Sequence, residues 1–224
     1  PAVLLGATHR NNGDLFNAVY LLDGGETRHV RLKYDLPNYG VFDEKRVFTP
    51  GPLPGPIPFR DVRLGVMICE DMWTGEVAEC LEESGAELLI VPNGSPYDIV
   101  NIERRMNQAV ARVTETELPI IYVNQVGGQD ELVFDGASFV LDAERNLRAQ
   151  LPAWTEAVVT TTWQRTADGW ACEMGEVAPE QCRFAMIYQA MVTGLADYVG
   201  KNGFPGVLIG MSGGIDSALS AAVA

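Results

Sequence analysis

Val62-Arg63-Leu64-Gly65-Val66-Met67-Ile68-Cys69-Glu70-Asp71-Met72-Trp73 is an apolar, β-branched run that stops at a thiol, two acids and an indole. Val, Ile and Leu suit a pleated, covered surface, so the run reads as a buried strand. Cys69 then falls where the strand gives way to a turn or helix. A nucleophile gains from that place, because the strand fixes its backbone and the amides of the next turn face any anion that forms. A lone cysteine there is more often plain core packing, so the surrounding sequence has to separate the two readings.

Downstream, strand and helix alternate. Residues 76–84 have helical spacing closed by Gly85, and residues 87–92 form another apolar strand ending in Asn93-Gly94-Ser95-Pro96. Residues 102–116 are spaced as a helix, and 119–123 as a strand running into Asn124-Gln125. This rhythm predicts parallel pairing through crossover helices, hence an α/β fold. Such folds carry their sites at the carboxyl ends of strands, where Cys69, Ser95 and Asn124 fall. Upstream, residues 2–5 and 17–22 read as strands, and Asp23-Gly24-Gly25 turns the chain back into a hairpin over residues 29–33. The proline-rich stretch 50–58 is a connecting loop, since proline removes the ladder donor. Residues 127–136 read as a loop with a turn, 138–141 as a strand, and 148–151 with 157–161 as a last strand pair.

The whole chain sets bounds. Its 224 residues suffice for one large domain, or one and part of another, and 47% apolar content permits a sizeable core. A net charge of -14 argues against non-specific binding to nucleic acid or an anionic membrane. Cys69, Cys80, Cys172 and Cys182 include no Cys-x-x-Cys pair, and the histidines are His9 and His29 alone, so neither zinc nor haem is expected. So few cysteines do not suggest a disulfide framework. No apolar run approaches the ~18 residues of a membrane span. Pro-Ala-Val-Leu-Leu-Gly has no basic leader of the signal-peptide kind, and a reducing cytoplasm is the expected compartment.

A second block, Lys33-Tyr34-Asp35-Leu36-Pro37-Asn38-Tyr39-Gly40-Val41-Phe42-Asp43-Glu44-Lys45-Arg46, supplies a lysine at a strand end and several acids ahead of the Pro-Gly loop. With the Cys69 stretch and residues 124–136, it resembles the nitrilase superfamily, and more closely the glutaminase domain of glutamine-dependent NAD synthetases. The resemblance implies an α-β-β-α sandwich and a Glu-Lys-Cys triad. Cys69 matches the nucleophile, Lys33 the catalytic lysine, and Glu44 the second glutamate found near many such sites. Tyr39, Phe42, Glu70, Trp73 and Ser95 are implied to shape a glutamine pocket, while packing or turn capping accounts equally well for each taken singly. The family's general-base glutamate precedes the lysine. Asp14 and Glu26 lie in turns outside any matching motif, so that glutamate is expected upstream of the residues given.

Beyond residue 164 the character changes. Residues 165–182 read as a polar, irregular linker, and 183–200 as a helix with Met186, Ala190, Met191, Leu195 and Val199 near one face. An apolar run over 204–211, read as a strand, then meets Ser212-Gly213-Gly214-Ile215-Asp216-Ser217. Two glycines let backbone amides approach phosphate oxygens closely, and the following helix adds its positive end. The string resembles the PP-loop of ATP pyrophosphatases, an adenine nucleotide alpha hydrolase-like fold, and lacks the Gly-Lys-Ser/Thr of a Walker sequence. Asp216 is expected to act on loop geometry or through Mg²⁺ brought with ATP.

The resemblance thus divides the chain into a glutaminase domain (1–164), a linker (165–182) and the start of an ATP-binding domain (183–224). It implies glutamine, ATP and nicotinic acid adenine dinucleotide as substrates, and a homo-oligomer. The competing readings are a stand-alone nitrilase-family amidase and a non-enzymatic scaffold. Ser212 to Ser217 weighs against the first. The joint presence of Lys33, Glu44 and Cys69 weighs against the second.

Overall fold

This computed structural model describes residues 1–99 and 101–224. It opens with a three-stranded antiparallel sheet, β1 (Ala2–Asn11), β2 (Asp14–Asp23) and β3 (Glu26–Leu32), in that order. Its turns pair two residues of positive φ, Asn12 at 49° with Gly13 at 94° and Gly24 at 61° with Gly25 at 81°. That combination matches the twist of the strands it joins. The apolar run at 2–5 marks only the start of β1. The small and polar residues after it stay extended because the ladder continues to the Asn11–Asp14 pair.

A loop containing one 3-10 turn (Glu44–Arg46) leads to β4 (Ile57–Phe59), which pairs with β5 (Val62–Val66). β4 lies at a sheet edge, where Pro58 costs no ladder bond. β5 passes into a 3-10 turn at Cys69–Met72, and α1 (Glu76–Glu83) follows, ended near Gly85 at φ 89°. β6 (Leu88–Asn93), α2 (Asn101–Thr116) and β7 (Ile120–Asn124) come next, and β5, β6 and β7 pair in parallel as the spacing predicts.

Four stretches differ from the sequence reading. Residues 126–135 form a hairpin rather than a loop, β8 (Val126–Gln129) with β9 (Leu132–Asp135). Gly127 and Gly128 carry no side chains to signal a strand, and they are small because a later helix lies on them. After β10 (Phe139–Leu141) and β11 (Leu147–Gln150), residues 157–161 are not a strand. The linker expected from 165 instead begins with a hairpin, β12 (Trp163–Thr166) and β13 (Gly169–Cys172). Its exposed face is polar, which hid it, while Trp163 and Cys172 pack with Val140 and Ala149. α3 (Arg183–Lys201) and α4 (Ile215–Val223) follow. The apolar run over 204–211 is exposed and not a strand, because no neighbouring strand among the described residues completes its backbone hydrogen bonds.

The larger sheet has the order β11-β10-β7-β6-β5-β4. One face packs on α1 and α2 through Val77, Leu81, Leu89, Val91, Ala109, Val113, Ile120 and Tyr122. The other faces the three-stranded sheet through Val19, Leu21, Leu64, Val66 and Leu88. Helix layer, sheet and sheet are three of the layers that the resemblance implies, and the two sheets bring β3 and β5 together.

Candidate active site

Cys69 follows β5 with φ of 49°. A non-glycine residue takes up this left-handed conformation only where its surroundings hold it. Here the carboxylate of Asp71 accepts the Ile68 amide at 2.9 Å and closes the turn. Lys33 follows β3 and is 1% exposed. Its ammonium donates to both oxygens of Glu44, at 2.8 and 2.9 Å. The Lys33 amide donates to the Asn17 carbonyl at 2.8 Å, and its own carbonyl accepts the Gly51 amide at 2.7 Å. Glycine is required at 51, since a Cβ there would lie 2.6 Å from the Cβ of Leu32 and 3.0 Å from the Lys33 carbonyl oxygen. The Pro-Gly loop therefore presses directly on the lysine.

Burial pushes the Cys69 thiol up to about 11, the Lys33 ammonium pulls it down, and the carboxylates of Glu70 and Glu44 push it up again. The Gly94 amide, at the end of β6, hydrogen-bonds the sulfur and favours the thiolate. Part of Lys33's field is neutralised by Glu44, so the thiol stays protonated near neutral pH. The arrangement needs a base to take that proton. Glu44 is the lysine's partner, and among the described residues it makes no hydrogen bond to the sulfur.

The expected pocket residues fall into two groups. The Tyr39 hydroxyl donates to both Glu70 oxygens at 2.9 Å, and its ring meets Phe42 edge-on at 5.8 Å. Burial and the Glu70 carboxylate hold the Tyr39 phenol above its ordinary range. Burial likewise raises Glu70, against the pull of Tyr39 and Lys33. Trp73 caps the 3-10 turn, its amide donating to the Glu70 carbonyl at 2.8 Å. Ser95 is buried instead in a clamp. Its hydroxyl accepts Arg105 Nε at 3.0 Å, its carbonyl accepts Arg105 Nη2 at 2.8 Å, and Asn124 brackets its amide and carbonyl at 2.9 and 3.1 Å.

Sequence reasoning passed over Arg31, Asp71, Arg105 and Asp135, all nearly or fully buried. Arg105 forks onto both oxygens of Asp135 at 2.7 and 3.0 Å and onto the Pro96 carbonyl at 2.7 Å, fixing the loop that carries Gly94. The available signal was charge at inward positions. Arg31 alternates with Val30 and Leu32 on β3, and Arg105 sits among the buried positions of α2. Such charges demand partners.

In the Ser212 to Ser217 string, Gly213 has φ of 83° and the Ser212 and Ser217 hydroxyls lie 3.1 Å apart. The Gly214 amide donates to the Ser212 hydroxyl at 3.3 Å, and Ile215 opens α4. The string thus forms an exposed turn at a helix N-terminus, with Asp216 in the first helical turn. Among the described residues no three His, Cys, Asp or Glu side chains gather as a metal cluster, and no helix is long and apolar enough to cross a membrane.

Comparison with known proteins gives two family matches, carbon-nitrogen hydrolase over residues 1–171 and NAD synthase over residues 187–224. A glutamine-dependent NAD(+) synthetase of Rhodobacter capsulatus is 44% identical over 224 residues, covering 100% of this chain and 41% of that protein. The solved structure of glutamine-dependent NAD+ synthetase from Acinetobacter baumannii, in complex with ADP, superposes with a TM-score of 0.93 at 37% identity, covering 99% of this chain and 42% of that one. A mutant of the amidase from Nesterenkonia sp. AN1, showing Michael addition of acrylamide at its active site cysteine, gives a TM-score of 0.59 at 25% identity, covering 67% of this chain and 59% of that one. The chain spans about two fifths of the length of the curated relatives it matches, 41% for the Rhodobacter protein.

Proposed function

The chain belongs to the carbon-nitrogen hydrolase family, and from that premise we propose that it is the glutamine-hydrolysing part of a glutamine-dependent NAD synthetase, followed by the start of its ATP-binding module. One observation carries the reading: a buried Lys33 paired with a partly open Glu44, its field reaching a cysteine on a left-handed turn, in a chain that continues into an NAD synthase match.

Cys69 sulfur attacks the side-chain amide carbon of glutamine, and the displaced electron pair collects on the carbonyl oxygen. Lys33 and a backbone amide beside Cys69 hold that oxyanion. The thiol proton, taken by a carboxylate, is passed to the departing nitrogen, and ammonia leaves behind a thioester. Water then adds, releasing glutamate and restoring the thiol. Tyr39, Phe42, Glu70 and Trp73 shape the pocket, and Ser95 belongs to it through its backbone.

In the second module ATP adenylylates the carboxylate of nicotinic acid adenine dinucleotide, releasing pyrophosphate. Ammonia then displaces AMP to form NAD. Ser212, Gly213, Gly214, Ile215, Asp216 and Ser217 cradle the ATP phosphates. Asp216, in the first turn of α4, would offer one carboxylate to a Mg²⁺ brought with those phosphates, which would neutralise their charge. A cytoplasmic setting suits the four free cysteines, and a homo-oligomer follows from the family expectation.

In the intact enzyme, Cys69→Ala abolishes glutamine-driven NAD formation and spares ammonia-driven formation. Loss of both would show that Cys69 does another job. Hydrolysis of glutamine with no ATP-dependent NAD formation would return the reading to a simple amidase.

A further inference from the structure

We infer that Asp71, together with Arg31, is a positioning residue that holds the lysine segment in register with the cysteine segment across two different sheets; the inference rests on the glutaminase reading above. Lys33 leaves β3 of the three-stranded sheet, whereas Cys69 leaves β5 of the six-stranded one. Facing sheets meet through interdigitated side chains, with no hydrogen-bonded ladder between them to fix their offset. Tyr39–Glu70 and Thr74–Asp35 link the two segments at the surface, and Asp71 supplies the buried tie. Its Oδ1 accepts the amides of Tyr34 at 3.1 Å and Asp35 at 2.8 Å, the two residues that follow Lys33. Its Oδ2 accepts the amide of Ile68 at 2.9 Å, just before Cys69, and the Arg31 guanidinium at 3.1 Å.

Arg31 closes the circuit. Its Nε donates at 2.9 Å to the carbonyl of Val66, the last residue of β5. The pair therefore grips the chain on both sides of Lys33 and the approach to Cys69. Asp71 is 0% exposed and Arg31 3%, so water does not compete for these bonds and neither side chain reaches a bound substrate. An ionised carboxylate is an acceptor at both oxygens, whereas an asparagine in its place would turn an N–H₂ toward donors.

The test compares Asp71→Asn and Arg31→Lys with the parent enzyme, intact. Asp71→Asn is expected to lower kcat for glutamine hydrolysis on the order of 100-fold, the loss that a misplacement of about 1 Å produces, with KM unchanged. The pH midpoint for alkylation of Cys69 by iodoacetamide moves up, because Lys33 no longer bears on the sulfur. Arg31→Lys keeps the charge but cannot hold Asp71 and Val66 together. It gives a smaller loss of the same kind, and it decides the matter if Asp71→Asn does not fold.

Alkylation of buried Cys172 reports any general loosening. Folded variants with the parent's kcat and Cys69 midpoint overturn the inference. So does a kcat that falls only in step with exposure of Cys172, and so does failure of both variants to fold, each of which leaves the pair a merely structural role. Alkylation needs no glutamine. A parent enzyme that never hydrolyses glutamine therefore sinks the proposed function while the midpoint shift still judges the positioning role.

Discussion

Cys69 is at once near an ammonium and hard to ionise. With its thiol near 11, alkylation of Cys69 is expected to rise about tenfold per pH unit through neutrality, as the thiolate fraction does, and to level off only near that value. Lys33→Met removes the one charge that pulls the thiol down, so the plateau moves to still higher pH; a plateau at ordinary thiol pH in the parent would contradict this. Glu44→Gln strips the partner from a lysine that is 1% exposed. Because Glu44 is itself partly open, the expected destabilisation is about 2 kcal/mol, below the full cost of breaking a buried pair, measured by denaturant unfolding. At this scale the sequence marked candidates and not their contacts. Lys33, Glu44 and Cys69 lie in readable motifs, whereas the two buried Arg–Asp pairs join residues 30 or more positions apart, and no local spacing reveals such pairing.

Elements were legible where a side-chain period existed and obscure where it did not. β5, β6 and β7 declare themselves through apolar runs, and α1 and α2 through helical spacing. The β8–β9 hairpin stayed hidden because Gly127 and Gly128 contribute no pattern, their smallness serving the close approach of α3, where a Cβ on Gly128 would lie 3.2 Å from the Cα of Gly194. α3 is tied there by Asp197, which accepts the Gly128 amide at 2.6 Å. That amide and the Lys201 ammonium hold the Asp197 carboxyl below its usual range. The stabilisation is thus fully present above the unfolded value, roughly pH 4, and is lost as pH falls through the lower folded value. Asp197→Asn should accordingly flatten the acid limb of α3 docking, read by amide exchange of Gly128; an unchanged limb would deny the tie. Gly51→Ala forces the loop off Leu32 and Lys33, at about 1–3 kcal/mol for overpacking, read by denaturant unfolding.

At the scale of the molecule, the larger sheet lies between two main cores, with a smaller cluster under the β12–β13 hairpin. Leu89 lies in the helix-side core at 0% exposure, and Leu89→Ala is expected to cost about 3–5 kcal/mol through the cavity it leaves, detectable as a lowered unfolding midpoint with little change in KM. The other core joins β2 to β5, and through it the amine arrives from one sheet and the sulfur from the other. A nascent or refolding chain in which only one sheet has formed therefore carries an ordinary thiol, which ionises near the usual value of about 8.5 and more readily than in the closed structure, with no ammonium beside it. Amine and sulfur meet only when both halves have closed on each other, and the burial that comes with closure makes the thiol harder to ionise. Pulse alkylation during refolding should find Cys69 labelling falling, and becoming sensitive to Lys33→Met, only when the two sheets pack; a rise in labelling at that step would contradict this.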